Sequence, residues 1–142
     1  MKQYTFAVVG ALGNVGTEMR SILEAATDLP IAGLVPMDVP DNAGRLVTWR
    51  EKAHKVVAAA PEAFAGVDIA IFSAGEAAAK QLAPEAVKRG AVCIDNSTAF
   101  RMDPEHPLVI PEVNPEALAG HKGIIANPNC STIQMLVALA PL

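Results

Sequence analysis

Short apolar runs alternate with stretches of helical spacing along almost the whole chain. Residues 5–9, whose last four are apolar and run into a glycine, predict a buried strand. Val15, Met19, Ile22, Leu23 and Ala26 then recur at helical spacing. The same reading predicts strands at 31–35, 55–59, 67–73, 91–95 and 124–126, with a short extended piece at 108–110. Helices are expected at 77–89 and 131–140, with a single helical turn at 115–118. Pro84 is expected to break the helix it interrupts, because proline lacks the N–H that an interior turn needs. Residues 39–52 mix polarities around Pro40 and Gly44 and predict a loop, with an edge strand at most. Strands alternating with helices imply an α/β fold, a Rossmann-like, mostly parallel sheet with helices on both faces. Ligands on such sheets sit at the carboxyl ends of the strands, where strand order reverses.

Composition narrows the picture. The 142 residues are 51% hydrophobic and 18% charged, which suits one folded domain over residues 1–142 and argues against disorder. A net charge of −4 gives no reason to expect a nucleic-acid partner or an anionic membrane surface. No run of apolar residues approaches the roughly 18 that span a bilayer. The start reads as a first strand and not as a signal peptide. Two cysteines without a leader make no disulfide framework, so a cytoplasmic location is expected. His54, His106 and His121 lack the spacing of a metal cluster; no metal is expected, and all three read as surface residues.

Gly10, Gly13 and Gly16 follow the first strand directly and open the first helix. Glycines there allow a tight turn and a close approach of backbone to phosphate, while the helix start offers free N–H groups. In this context the turn points to a dinucleotide. The end of the second strand should choose between the nicotinamide cofactors. An acid there accepts from ribose hydroxyls, and an arginine holds a 2′-phosphate. Asp38 and Asp41 lie about where the acid belongs, and Arg45 is near enough to compete. Ser73, Ala74 and Gly75 close the central strand with residues small enough for a ligand to lie against the backbone.

Residues 127–132, Asn-Pro-Asn-Cys-Ser-Thr, carry the sharpest chemistry. Asn129 is a good helix cap, so Cys130 stands at a helix N-terminus, where the dipole and free N–H groups favour a thiolate. A thiolate attacks an aldehyde carbon, and the same N–H groups can stabilise the resulting oxyanion. Cys93, inside an apolar run, reads as a buried structural residue. Arg101, after the strand at 91–95, is placed to grip a phosphate or carboxylate. Its bland reading is a surface residue paired with Asp103 or Glu105.

The order of these motifs resembles that of the aspartate-semialdehyde dehydrogenases. The glycine turn, residues 73–75, residues 95–101 (Asp-Asn-Ser-Thr-Ala-Phe-Arg), residues 109–114 (Val-Ile-Pro-Glu-Val-Asn) and residues 127–132 all fall in sequence. Only about 36–59 stands outside the match. The resemblance implies that Cys130 attacks the semialdehyde to form a thiohemiacetal. Hydride transfer to the nicotinamide then leaves a thioacyl enzyme, and phosphate releases aspartyl phosphate; the biosynthetic direction runs in reverse. It implies NADP as cofactor, with NAD the alternative. Gly10, Leu12, Gly13, Asn14, Val15 and Gly16 would line it, with Ser73, Ala74 and Gly75 beside it. Arg101 and Asn129 would hold phosphate. It also implies a homodimer serving the lysine, threonine and methionine pathways.

Two departures stand out. The family usually carries Arg-Ser where this chain has Asp41-Asn42, so the usual 2′-phosphate contact is altered at those two cofactor positions. Family members are also more than twice as long. This chain is expected to lack their substrate and dimerisation domain, to be inactive alone, and to self-associate through exposed apolar surface. Two other readings compete. The reductase of N-acetyl-glutamyl phosphate shares the thiol chemistry, but the residues flanking Cys130 point away from it. A non-catalytic dinucleotide-binding module would not need a reactive thiol.

Overall fold

The computed structural model describes residues 2–142. Six strands form one sheet in the order β5-β2-β1-β6-β7-β8, and every neighbouring pair is parallel. They are β1 (Tyr4–Val9), β2 (Ile31–Asp38), β5 (Val57–Ala58), β6 (Ile69–Phe72), β7 (Val92–Asp95) and β8 (Ile124–Ala126). The helices are α1 (Asn14–Ala25), α2 (Glu76–Lys88) and α3 (Cys130–Leu139). From β1 the chain builds outward one way through β2; from β6 it builds the other way. The order therefore reverses between β1 and β6.

Period-two alternation along the central strands separates two apolar layers. Phe6 and Val8 pack with Met19 and Leu23 of α1, while Ala7 and Val9 pack with Ala79, Leu82, Ala83 and Ala86 of α2. Phe72 stacks on Phe64 in the second layer, with ring centroids 5.9 Å apart. Helices thus cover both faces of the sheet. α3 is different: none of its residues is buried, and Met135, Val137 and Leu139 are exposed. No helix among the described residues is long and apolar enough to cross a membrane.

Several expectations need correction. Pro84 lies inside α2 without breaking it. The carbonyl left without a donor belongs to Lys80, an exposed residue, so water can serve it. Buried Ala79, Leu82, Ala83 and Ala86 on both sides of the proline hold the helix against the sheet. The second strand does not stop at Val35 but runs through Pro36 to Asp38. The Asp38 carbonyl accepts from Ala59 on the β5 side of β2, so Pro36, two residues earlier, faces the same side. β5 has not begun at that level, and the sheet loses no donor there.

The segment expected to be a loop contains a separate two-stranded hairpin, β3 (Leu46–Trp49) and β4 (Lys52–Lys55). It turns through Arg50 and Glu51, both left-handed with φ of 47° and 62°, the geometry of a type I′ turn without its usual glycine. Arg50 compensates with its side chain. The guanidinium lies 4.5 Å from the Trp49 ring centre and donates to the carbonyls of Ala26 and Ile31, at 3.1 and 3.3 Å. The expected strand at 55–59 shrinks to β5, with Lys55 belonging to β4. The expected turn at 115–118 is a 3-10 helix over Pro115–Gly120, and Leu108 makes a single parallel bridge to Ala126. His54 and His106 are half-buried and not surface residues. Each packs edge-on against an aromatic ring, Trp49 and Phe100 respectively.

Candidate cofactor and thiol site

One row of backbone hydrogen bonds crosses the carboxyl edge of the sheet. Gly10 N–H donates to Met37 O, Ser73 N–H to Val9 O, Asn96 N–H to Phe72 O, and Asn127 N–H to Asp95 O, all at 2.8 to 3.0 Å. The row fixes the starts of the loops after β1, β6, β7 and β8 relative to one another. From the strand after which the glycine turn begins to the strand that leads to Cys130 is three strand spacings, about 14 Å. All three helices begin just beyond this edge.

The glycine turn sits at the reversal of strand order. Gly10 has φ of +85°, and a Cβ on it would lie 2.3 Å from the Ser73 carbonyl oxygen. A Cβ on Gly16 would lie 2.0 Å from the Gly10 carbonyl oxygen. These two glycines therefore let the turn fold and let α1 close on β1. Gly13 is spacious by comparison: the nearest atom to an added Cβ is 3.5 Å away. Gly13 also caps α1 without a side-chain acceptor, so the helix opens on bare N–H groups at Asn14, Val15 and Gly16. Arg20 reaches back from α1 to hold the turn, its Nε donating to Ala11 O at 2.9 Å.

Beside this turn lies a cleft of about 340 Å³, lined by Gly10, Gly13, Asp38, Ser73, Ala74 and Leu82 among others. Gly75, with φ of +84°, turns the chain from β6 into α2, again without a capping side chain. The cleft, the glycine cradle and the free helix N–H groups fit a dinucleotide, whose pyrophosphate such a helix start can hold.

Asp38 is the acid at this site. It is 8% exposed, and both carboxylate oxygens are engaged. Oδ2 accepts from Leu12 N–H at 2.9 Å; Oδ1 accepts from Val39 N–H at 2.9 Å and Asn42 Nδ2 at 2.8 Å. Burial pushes this carboxyl up. The bonds from Asn42, Leu12 and Val39, with the Arg45 charge, outweigh it and leave the pKa below the usual value. Asp41 is exposed in the 3-10 turn that follows and Asn42 serves Asp38; neither lines the cleft.

At the other end of the edge, Cys130 is exposed at the first position of α3. Asn129 caps the helix, its Oδ1 accepting from Ser131 N–H at 3.0 Å, which leaves its Nδ2 as a donor. Arg101 is not paired with Asp103 or Glu105. Its Nε donates to the Asn127 carbonyl at 2.9 Å and one terminal nitrogen reaches Asn96 O at 3.5 Å. The guanidinium is thereby tied to the backbone three residues before the thiol. Cys93 is fully buried; burial, and then the Asp95 charge, push its thiol up to about 12.

Asp95, also fully buried, organises the loop between these residues. Its carboxylate accepts from Ser97 N–H at 3.1 Å and Ser97 Oγ at 2.6 Å, and Ser97 Oγ accepts from Ala99 N–H. Thr98 then donates to Glu76 at the start of α2, at 2.8 Å. The positioning roles of Asp95, Glu76 and Arg20 carry no sequence signal beyond their places near strand and helix ends. Among the described residues no group of three His, Cys, Asp or Glu could hold a metal ion.

The sequence profile of the semialdehyde dehydrogenase NAD-binding domain matches residues 5–121. The chain is 53% identical over 136 residues to the aspartate-semialdehyde dehydrogenase of Bacillus subtilis, covering 96% of this chain and 39% of that protein. A crystal structure of aspartate-semialdehyde dehydrogenase II from Vibrio cholerae, complexed with ASA, superposes with a TM-score of 0.93 at 42% identity, over 99% of this chain and 46% of the other. The enzyme from Candida albicans, solved with NADP, shares the fold, with a TM-score of 0.83 at 24% identity over 99% of this chain and 46% of that one. The chain thus spans about two fifths of the length of such relatives. The chain belongs to the aspartate-semialdehyde dehydrogenase family of oxidoreductases, whose NAD-binding domain it carries.

Proposed function

We propose that this chain supplies the dinucleotide site and the nucleophile for interconverting L-aspartate 4-semialdehyde and L-4-aspartyl phosphate, within a homodimeric enzyme. The observation that carries the reading is that Cys130 and the glycine turn share one edge of one sheet, with Cys130 exposed.

In this reading Gly10, Gly13 and Gly16 admit the pyrophosphate to the N–H groups of Asn14, Val15 and Gly16. Ser73, Ala74 and Gly75 form the floor of the cleft on the β6 side. A nicotinamide dinucleotide bound there would supply the hydride acceptor or donor. The Cys130 thiolate attacks the aldehyde carbon, and the unpaired N–H groups of the first turn of α3 meet the oxygen as it gains charge. Loss of hydride leaves an acyl group on the sulfur. Phosphate held by Arg101 and Asn129 then attacks that acyl carbon and frees the thiolate. Arg101 suits this role because its unused guanidinium N–H groups can serve an oxyanion while Nε keeps the group aimed.

The reading is tested by titrating the chain with NADH and NADPH and by following iodoacetamide incorporation at Cys130 with and without dinucleotide. Saturable binding that slows alkylation of Cys130 supports it. Labelling that ignores a bound dinucleotide would count against a shared site.

A further inference from the structure

We infer that Asp38 makes the cleft select the unphosphorylated nicotinamide dinucleotide, NAD(H), over NADP(H). The inference rests on the cleft being the dinucleotide site proposed above. Asp38 stands at the carboxyl end of β2, next to the reversal of strand order, and lines the cleft. Its three hydrogen bonds, from Leu12, Val39 and Asn42, prevent the carboxylate from turning aside. Oδ2 receives one bond, from the glycine turn itself, and retains a lone pair for a second donor. A ribose hydroxyl is such a donor. A 2′-phosphate is not: it brings two negative charges and only acceptors to the same place.

The surroundings do not offset that repulsion. No lysine or arginine lines the cleft. The nearby cation, Arg45, is exposed and donates to Asn42 Oδ1 at 3.1 Å, so it touches Asp38's partner and not the cleft wall. Asp38 is also ionised at neutral pH, because its hydrogen bonds and the Arg45 charge outweigh the effect of burial. The site therefore presents a fixed negative charge and an acceptor where the two cofactors differ.

The test is equilibrium binding, by nicotinamide fluorescence and calorimetry, of NADH and NADPH to the 142-residue chain, to Asp38→Asn and to Asp38→Ser. Serine keeps an acceptor for Leu12 N–H, and urea melts report whether each variant is folded. The expected wild-type result is NADH bound at least about ten-fold tighter, equivalent to about 1.4 kcal/mol. Both variants are expected to narrow that ratio at least about three-fold, mainly by improving NADPH. Equal or tighter wild-type binding of NADPH would overturn the inference. So would narrowing caused by Asp41→Asn and not by the Asp38 variants, which would make the neighbouring acid the selector. Binding of neither dinucleotide would overturn the reading of the cleft itself, a result distinct from binding both without preference.

Discussion

The carbonyl oxygen of Gly10 occupies the space that a side chain on Gly16 would need, 2.0 Å from where its Cβ would lie. The two residues hold α1 against β1 so closely that neither their backbone nor a neighbour can yield.

The glycines of the turn are therefore expected to separate by function. Gly16→Ala and Gly10→Ala should each lower stability by about 3 kcal/mol or more, because the clash in each is with backbone. Gly13→Ala should change stability by less than about 1 kcal/mol, since Gly13 has φ of −67° and an added methyl meets only ordinary contact. The same methyl stands in the cleft and should weaken dinucleotide binding. Urea melts beside NADH titrations would check this; a Gly13→Ala chain that binds as well as wild type would remove the glycine turn from the ligand site.

The two thiols should differ sharply in reactivity. Cys93 is fully buried with its pKa near 12, whereas Cys130 is exposed at a helix start. Iodoacetamide at neutral pH followed by peptide mass spectrometry should find Cys130 labelled and Cys93 untouched until urea unfolds the chain. Comparable labelling rates in the native protein would sink the assignment of the nucleophile.

Asp95 and Asp38 should tie stability to pH in opposite senses. Burial raises the Asp95 pKa above the usual 3.8, and the Ser97 bonds and Arg101 only partly offset it. The folded state therefore holds this proton more tightly than the unfolded chain does, and stability falls as pH rises from 3.8 through the raised value. Asparagine does not titrate, so the stability lead of wild type over Asp95→Asn should shrink between pH 4 and pH 7. Asp38 is lowered, so its contribution is present above 3.8 and is lost as pH falls through its folded value. Urea melts of both Asn variants at several pH values would expose a wrong sign in either case.

The hairpin turn offers a third kind of check. Glu51→Gly should raise stability by about 1 kcal/mol, since glycine adopts φ of 62° without the cost a side chain incurs. Arg50→Ala should lower it by about 1–2 kcal/mol, because it strips the Trp49 ring and two carbonyls of their partner. A destabilised Glu51→Gly would mean that its side chain has a role the geometry does not reveal.

Much of this site is legible in the sequence alone. The glycine turn and the cysteine motif are local: each needs only a strand end, a short turn and a helix start, and each declares itself within seven residues. Asp38 was harder. Pro36 reads as the end of a strand, which moves the expected strand end away from Asp38 and leaves Asp41 as an equal candidate, with Arg45 near enough to compete. What restores Asp38 is the absence of a β5 neighbour at the level of Pro36, a fact about pairing that no local pattern carries. The hairpin was hidden for a related reason. Its turn uses arginine and glutamate where glycine or asparagine would announce it, and the compensation comes from carbonyls at Ala26 and Ile31, some twenty residues away.

The row of hydrogen bonds from Met37 to Asn127 behaves as a ruler with marks about 3.3 Å apart along each strand. Deleting Ile69 from β6 would draw Ser73 back one mark and turn Ala70 and Phe72 to the opposite layer. Loop lengths beyond the ruler can drift over evolutionary time at little cost to alignment, whereas strand lengths before it cannot. Natural insertions and deletions in kindred sequences should accordingly gather outside the strands, and an engineer seeking to move the thiol relative to the cofactor should alter the turn after β8 and leave the strand itself intact.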